Sequence, residues 1–179
     1  MGEEILNKVR EFVAAEFAKP DASYKESFEN HFKIVVRYGL EMAEARNANK
    51  EIVEIAAWLH DIASVRLGII ENHNIVGAEI ADEFLGELGY PLDKIEKVKY
   101  CILNHRGSLD VERETKEAQI LADADGMSHF DDIDGIIRRV FDGDKKEMLA
   151  KLERSYAKLS DEAKPLVYEK LEMARRELG

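Results

Sequence analysis

Residues 52–61, Ile-Val-Glu-Ile-Ala-Ala-Trp-Leu-His-Asp, constrain the fold more tightly than any other stretch. Ile52, Ile55, Ala56 and Leu59 form one stripe at helical spacing, and Val53, Ala57 and His60 form a neighbouring one. A helix that is apolar over most of its girth is surrounded by other elements, so it is expected at the centre of the molecule. It then ends in His60-Asp61. Neither side chain belongs in a core unless something there needs it. A metal cation would.

The remaining chain repeats the helical period. Ile5, Val9, Val13 and Phe17 fall four apart over 3–18, and Pro20-Asp21 ends that run. Ser23 and Glu26 have the spacing of a capping box, opening a second helix of about six turns on which Phe28, His31, Phe32 and Val35 share a face. Asn49 is placed to cap the central helix, and Ser64–Glu71 reads as a loop after it. Asn72 is placed to cap a fourth helix carrying His73, Val76, Gly77 and Ile80 on one face; Gly77-Ala78 points to close approach of another backbone. Gly89-Tyr90-Pro91 is a stop, and a fifth helix runs from about Leu92 to His105. After a turn at Gly107–Asp110, a sixth covers about Thr115–Phe130, with Ile120, Asp123, Met127 and Phe130 aligned. The run Asp131–Asp134 reads as a solvated break, followed by a short helix to Phe141 and two charged helices near 144–158 and 161–178. No convincing alternation of apolar and polar residues occurs, so the class is all-α. The expected organisation is one domain over 1–179, with a core of about 20–140 and a C-terminal helical extension, 144–179, that packs on the core or on a partner subunit.

A net charge of -11 disfavours duplex DNA or RNA, because such a surface repels phosphate backbones. A small phosphorylated substrate is compatible if a metal supplies local positive charge. The one cysteine, Cys101, excludes an internal disulfide and reads as a small core residue. There is no signal-peptide pattern and no apolar run of membrane-spanning length, so the expectation is a cytoplasmic protein without membrane contact.

A lone histidine on an apolar face is more often a hydrogen-bonded core residue than a ligand. Here, however, His31, His60, His73 and His105 all face inward from four expected helices, and Asp123 does so from a fifth. His129 is the exception; four residues after Asp125, it reads as half of a surface pair. Imidazole and carboxylate together suit Mn, Fe, Co, Ni or Zn better than Ca or Mg alone. Two histidines and two aspartates hold one ion and leave positions open for water and substrate. Asp61, with two oxygens, is the candidate to bridge a second ion, whose extra nitrogen ligands would be His73 and His105.

The ordered set His31, His60-Asp61 and Asp123 resembles the HD-domain metal-dependent phosphohydrolase superfamily over about residues 20–140. His73 followed by Val76-Gly77-Ala78, and Asn104-His105-Arg106 before Leu121-Ala122-Asp123-Ala124-Asp125, are similar to the small stand-alone members. The resemblance implies a helical bundle with the metal site between central helices. It implies that His31, His60, Asp61 and Asp123 bind the catalytic metal, with one or two ions drawn from Mn, Co, Ni, Fe or Zn, or Mg. It gives His73 and His105 a second metal or the substrate phosphate, and makes Asp61 and His73 the catalytic pair. Arg66, Arg106 and Lys33 are the candidate phosphate contacts, and Glu71 a candidate base.

Three departures narrow this. Gly89-Tyr90-Pro91 has the letters of a cyclic-di-GMP phosphodiesterase signature but sits at a helix end. The acidic residues that follow His-Asp in the family's deoxynucleotidases are missing. Ser64–Leu67 carries no basic cluster, which disfavours a guanosine tetraphosphate. The expected activity is therefore hydrolysis of a nucleotide or a similar small phosphate ester or anhydride. The alternatives are an HD-fold di-iron oxygenase and a non-catalytic nucleotide or metal sensor. A homodimer is a possible assembly.

Overall fold

The computed structural model describes residues 2–20, 25–107 and 111–179. The Ser23 half of the expected capping box, and positions 108–110 of the expected turn, lie outside them. Among the described residues the chain is all-α. The helices are α1 (Gly2–Ala18), a π-helical turn (Phe28–Phe32) leading into α2 (Lys33–Ala45), α3 (Lys50–Leu59), α4 (Ile62–Leu67), α5 (His73–Glu87), α6 (Leu92–Asn104), α7 (Lys116–Ser128), α8 (Ile133–Val140), α9 (Lys145–Lys158) and α10 (Lys164–Leu178).

Helix α3 is central, as its sequence requires. Every residue from Ile52 to Leu59 is buried, and α1, α2, α6 and α7 pack around it. Asn49 caps it, its side chain accepting from the Ile52 amide at 3.3 Å. Thr115 caps α7 in the same way, accepting from Ala118 N at 3.2 Å. Asn72 does not cap α5 through its side chain; it takes a left-handed conformation, φ 56°, that turns the chain into the helix. Gly77 on α5 faces the end of α3. A Cβ there would lie 3.3 Å from the carbonyl oxygen of His60, so the close approach expected from the sequence is real.

Three segments depart locally from the sequence pattern. The expected loop Ser64–Glu71 is helical as far as Leu67, because Ile62, Ala63 and Val65 are buried and hold the segment against α5 and α1. The expected unbroken helix through His31 contains a π-turn, a feature that redirects side chains and concentrates at functional sites. Asp131 is also more than a solvated break: Tyr38 Oη donates to it at 2.7 Å and Lys170 Nζ lies at 2.7 Å, which ties α2 to α10. The C-terminal helices are part of the core. Met148, Leu152, Val167 and Leu171 lie in the same apolar cluster as the residues of α3.

Candidate metal centre

Four helix ends, a π-turn and one helix face converge where α3 ends. His60 is the last turn of α3, fully buried, and its Nδ1–H donates to Ala57 O at 2.8 Å. Asp61 leaves the helix with φ -110° and ψ 19°, which swings its carboxylate away from the His60 direction before α4 begins. His73 at the start of α5 donates from Nδ1 to Ile70 O at 2.6 Å. His105 after α6 donates from Nδ1 to Ile102 O at 2.7 Å. His31, in the π-turn, lies 2.9 Å from Ser128 Oγ. That hydroxyl donates its own proton to Asp125 O at 2.7 Å, so it accepts from His31 Nδ1.

These four bonds set one tautomer for all four rings: Nδ1 carries the proton and Nε2 presents a lone pair. The four Nε2 atoms point inward. His31 and His60 approach to 3.0 Å, and His73 and His105 to 3.2 Å. Asp61 spans the two pairs. Its Oδ2 lies 3.5 Å from both His31 Nε2 and His60 Nε2, and its Oδ1 lies 3.1 Å from His73 Nε2 and 3.4 Å from His105 Nε2. Asp125 Oδ1 completes the first group, 3.6 Å from His31 Nε2. Two triads result, His31–His60–Asp125 and Asp61–His73–His105, each spaced to hold a metal ion.

Converging lone pairs and carboxylates repel unless positive charge lies among them. Asp61 Oδ1 is a buried oxygen without a hydrogen-bond donor. Burial pushes the Asp61 carboxyl upward, but His60, His105, His31 and His73 outweigh it and hold it well below the usual carboxylate range. Burial lowers His60 to about 4, against the pull of Asp61, so its ring is neutral and able to coordinate at neutral pH. The donor set therefore fits a pair of divalent cations, with nitrogen and oxygen ligands of the kind that suit late first-row metals.

Of the expected ligands, His31, His60, Asp61, His73 and His105 meet here, and Asp123 does not. Asp123 faces the turn between α9 and α10, where it accepts from Ser160 N at 2.9 Å, Ser160 Oγ at 2.7 Å and Gln119 Nε2 at 3.1 Å. Two residues along a helix is roughly 200° of rotation, so Asp123 and Asp125 cannot face the same site. Asp125 is the one that does. Its signal in the sequence was a stripe at spacings of three and four: Ala122, Asp125 and His129 line the cleft together.

His129 is accordingly no surface pair. Its ring stacks on His31 with centroids 6.3 Å apart, and Nδ1 lies 3.2 Å from Ser155 Oγ on α9. Cys101 is buried, as expected, and burial pushes its thiol up to about 12.

Two hollows open from the centre. The larger, about 800 Å³, lies between α6, α7 and α9 and includes Arg106, Lys151, Arg154 and Lys158. The smaller, about 540 Å³, is walled by Phe32, Val65, Ile70, Ile136 and Val140. Both contain His31, Asp61, His73, His129 and Lys151. Among the three expected phosphate contacts only Arg106 lines this space. Lys33 is paired with Glu29 at 2.6 Å on the surface, and Arg66 faces Glu16 at 3.9 Å on the α1 side. Glu71 is exposed and lines neither hollow.

A family profile described as the HD domain matches residues 28–162. The chain belongs to this family. The match runs past residue 140 and takes in all of α9. HD domains bind divalent metals, in keeping with the two triads. Three solved structures share the fold. The Lin1889 protein of Listeria innocua aligns with a TM-score of 0.72 at 18% identity, over 99% of this chain and 93% of that one. A predicted HD superfamily hydrolase from an uncultured Thermotogales bacterium aligns at 0.59 and 25% identity, over 99% and 92%. YpgQ of Bacillus subtilis, solved in complex with ADP, aligns at 0.67 and 19% identity, over 96% and 92%. No curated protein matches the sequence. No helix of the described residues is long and apolar enough to cross a membrane.

Proposed function

We propose that this HD-domain protein is a metal-dependent phosphohydrolase acting on a nucleotide or a similar small phosphate ester or anhydride. One observation carries the reading: four imidazole lone pairs and two carboxylates converge, with Asp61 reaching into both triads. Bound there, the cations would polarise a phosphoryl oxygen and make water nucleophilic near neutral pH.

The chain's own groups have distinct parts in this reading. His31, His60 and Asp125 would hold one cation; Asp61, His73 and His105 would hold the other. The inward lone pairs favour a second cation over a phosphate at His73 and His105, since phosphate oxygens would need donors there. The carbonyls of Ala57, Ile70 and Ile102 and the Ser128 hydroxyl keep each ring in its ligating tautomer. Arg106 offers a planar, permanently charged contact to phosphate. The apolar wall of Phe32, Val65 and Ile136 suits the uncharged part of such a substrate. The ADP held by Bacillus subtilis YpgQ makes nucleotides the first panel to test.

The test is a hydrolysis screen on protein loaded with Mn, Co or Ni, with phosphate and pyrophosphate quantified separately. Release by the native chain, lost in Asp61→Ala together with bound metal, is the expected outcome. No release from a broad panel would sink the hydrolase. The same triads would accept iron, so oxygen uptake with Fe(II) is the control that separates the oxygenase.

A further inference from the structure

Lys151, Arg154 and Lys158 stand at i, i+3 and i+7 on α9, so they share one face of that helix, and all three line the larger hollow. The chain carries a net charge of -11, and its surface cations commonly sit on carboxylates: Arg175 lies 2.6 Å from Glu153, and Lys33 lies 2.6 Å from Glu29. Lys151, Arg154 and Lys158 are among those that do not, and unlike Lys145 and Lys146 on the same helix they line a hollow. Among the described residues none of them has a carboxylate at ion-pair distance. Lys158 Nζ donates only to a neutral acceptor, Gly107 O, at 2.5 Å. Lys151 is half-buried and lines both hollows beside the metal centre. Arg106 lines the same hollow; Arg113 is committed to the Asn104 carbonyl at 2.7 Å and the Arg106 carbonyl at 3.1 Å. Cations gathered in a concave site, with no ion pair among the described residues, offer an anionic ligand a ready partner.

We infer that α9 is a binding ridge for a chain of phosphates, with Lys151 nearest the metal centre and Arg154 and Lys158 further out. Seven residues of helix set the Lys151 and Lys158 backbones about 10 Å apart, so a row of phosphates meets all three cations without their side chains bending toward one another. The ridge therefore favours a substrate with two or more phosphates in series over a monoester. This inference rests on the phosphohydrolase reading for what happens at the metal centre, but the ridge is testable without turnover.

The full chain, stripped of metal so that polyphosphate chelation does not intrude, is titrated calorimetrically with inorganic tripolyphosphate. Arg154→Gln/Lys158→Gln alters two exposed residues and leaves the core intact. It should weaken binding roughly tenfold, and adding Lys151→Gln should weaken it further. Lys8→Gln/Lys97→Gln removes the same charge at positions that line neither hollow and should stay within about twofold of the native chain. Unchanged affinity in the ridge variants, or equal weakening in the control, overturns the ridge. Turnover of Mn-loaded protein on the mono-, di- and triphosphates of one nucleoside adds a second readout, since the rise in KM in the ridge variants should grow with phosphate number. If the native chain cleaves these substrates but the variants keep its KM, the ridge falls and the hydrolase stands. If tripolyphosphate binds through the ridge and no substrate is cleaved, the hydrolase falls and the ridge stands.

Discussion

Asp123 and Asp125 show how far a single residue's role depends on what surrounds it. Both are acids on α7, yet one is locked to Ser160 and the other faces His31. Asp125→Ala should remove a direct metal contact, so metal affinity should fall by more than the roughly 10–100-fold that losing an outer partner costs. Asp123→Ala should instead leave metal content unchanged while costing about 2–3 kcal/mol of stability, since it strands the Ser160 amide and hydroxyl without an acceptor. Metal analysis beside denaturant melts separates the two. Equal metal loss in both variants would mean that Asp123 reaches the centre after all. The HD dipeptide itself was legible from residue type alone, because a buried His-Asp has few structural excuses. The choice between two aspartates two positions apart was not, because the rotational phase of α7 comes from its packing against α2, α6 and α9.

At the scale of elements, the metal centre depends on how closely α5 seats against the end of α3. Gly77→Val would drive a branched side chain at the His60 carbonyl, which already lies 3.3 Å from the ideal Cβ position. Overpacking of this kind costs about 2–3 kcal/mol. Because His60 and His73 sit on the two elements pushed apart, metal affinity should fall with stability; a variant that melts lower but loads metal normally would show the contact to be structural only. A second element pairing gives a pH signature. Glu51 at the start of α3 accepts from Tyr90 Oη at 2.6 Å and Lys94 Nζ at 2.9 Å, joining α3 to the start of α6. The Tyr90 hydrogen bond, with help from Lys94, holds the Glu51 carboxyl below its ordinary 4.5. Its folded value is thus lower than its unfolded one, so its stabilisation is complete above about 4.5 and fades as pH falls through the folded value. Melting temperature followed from neutral pH into that acid range should drop less steeply in Glu51→Gln than in the native chain. Identical slopes would remove the assignment. The π-turn at Phe28–Phe32 belongs to this scale too. Its residues read as ordinary helix; what distinguishes them is tertiary, the packing of Phe28 against Phe17 and Trp58 and of Phe32 against Phe17 and His60.

For the whole molecule, cations that bind the folded centre and not the unfolded chain must raise its stability. At about a thousandfold excess over Kd the gain is roughly 4 kcal/mol, which in a chain of this length is about 8–16 °C. Calorimetry with Mn added, and then with a chelator, should show that rise and its reversal, and Asp61→Ala should show neither. A native chain whose melting point ignores divalent cations would argue against a built metal centre. The sequence by itself determined the helical class and the centrality of α3, and it singled out His31, His60, Asp61, His73 and His105 as candidate ligands, because apolar period and buried polar residues are local facts that survive without coordinates. Only the tertiary structure decided that Asp125 and not Asp123 joins them, that His129 faces the cleft, and that α9 turns its cations toward the same space. Those are questions of helix phase and relative placement, set by packing between elements far apart in the chain.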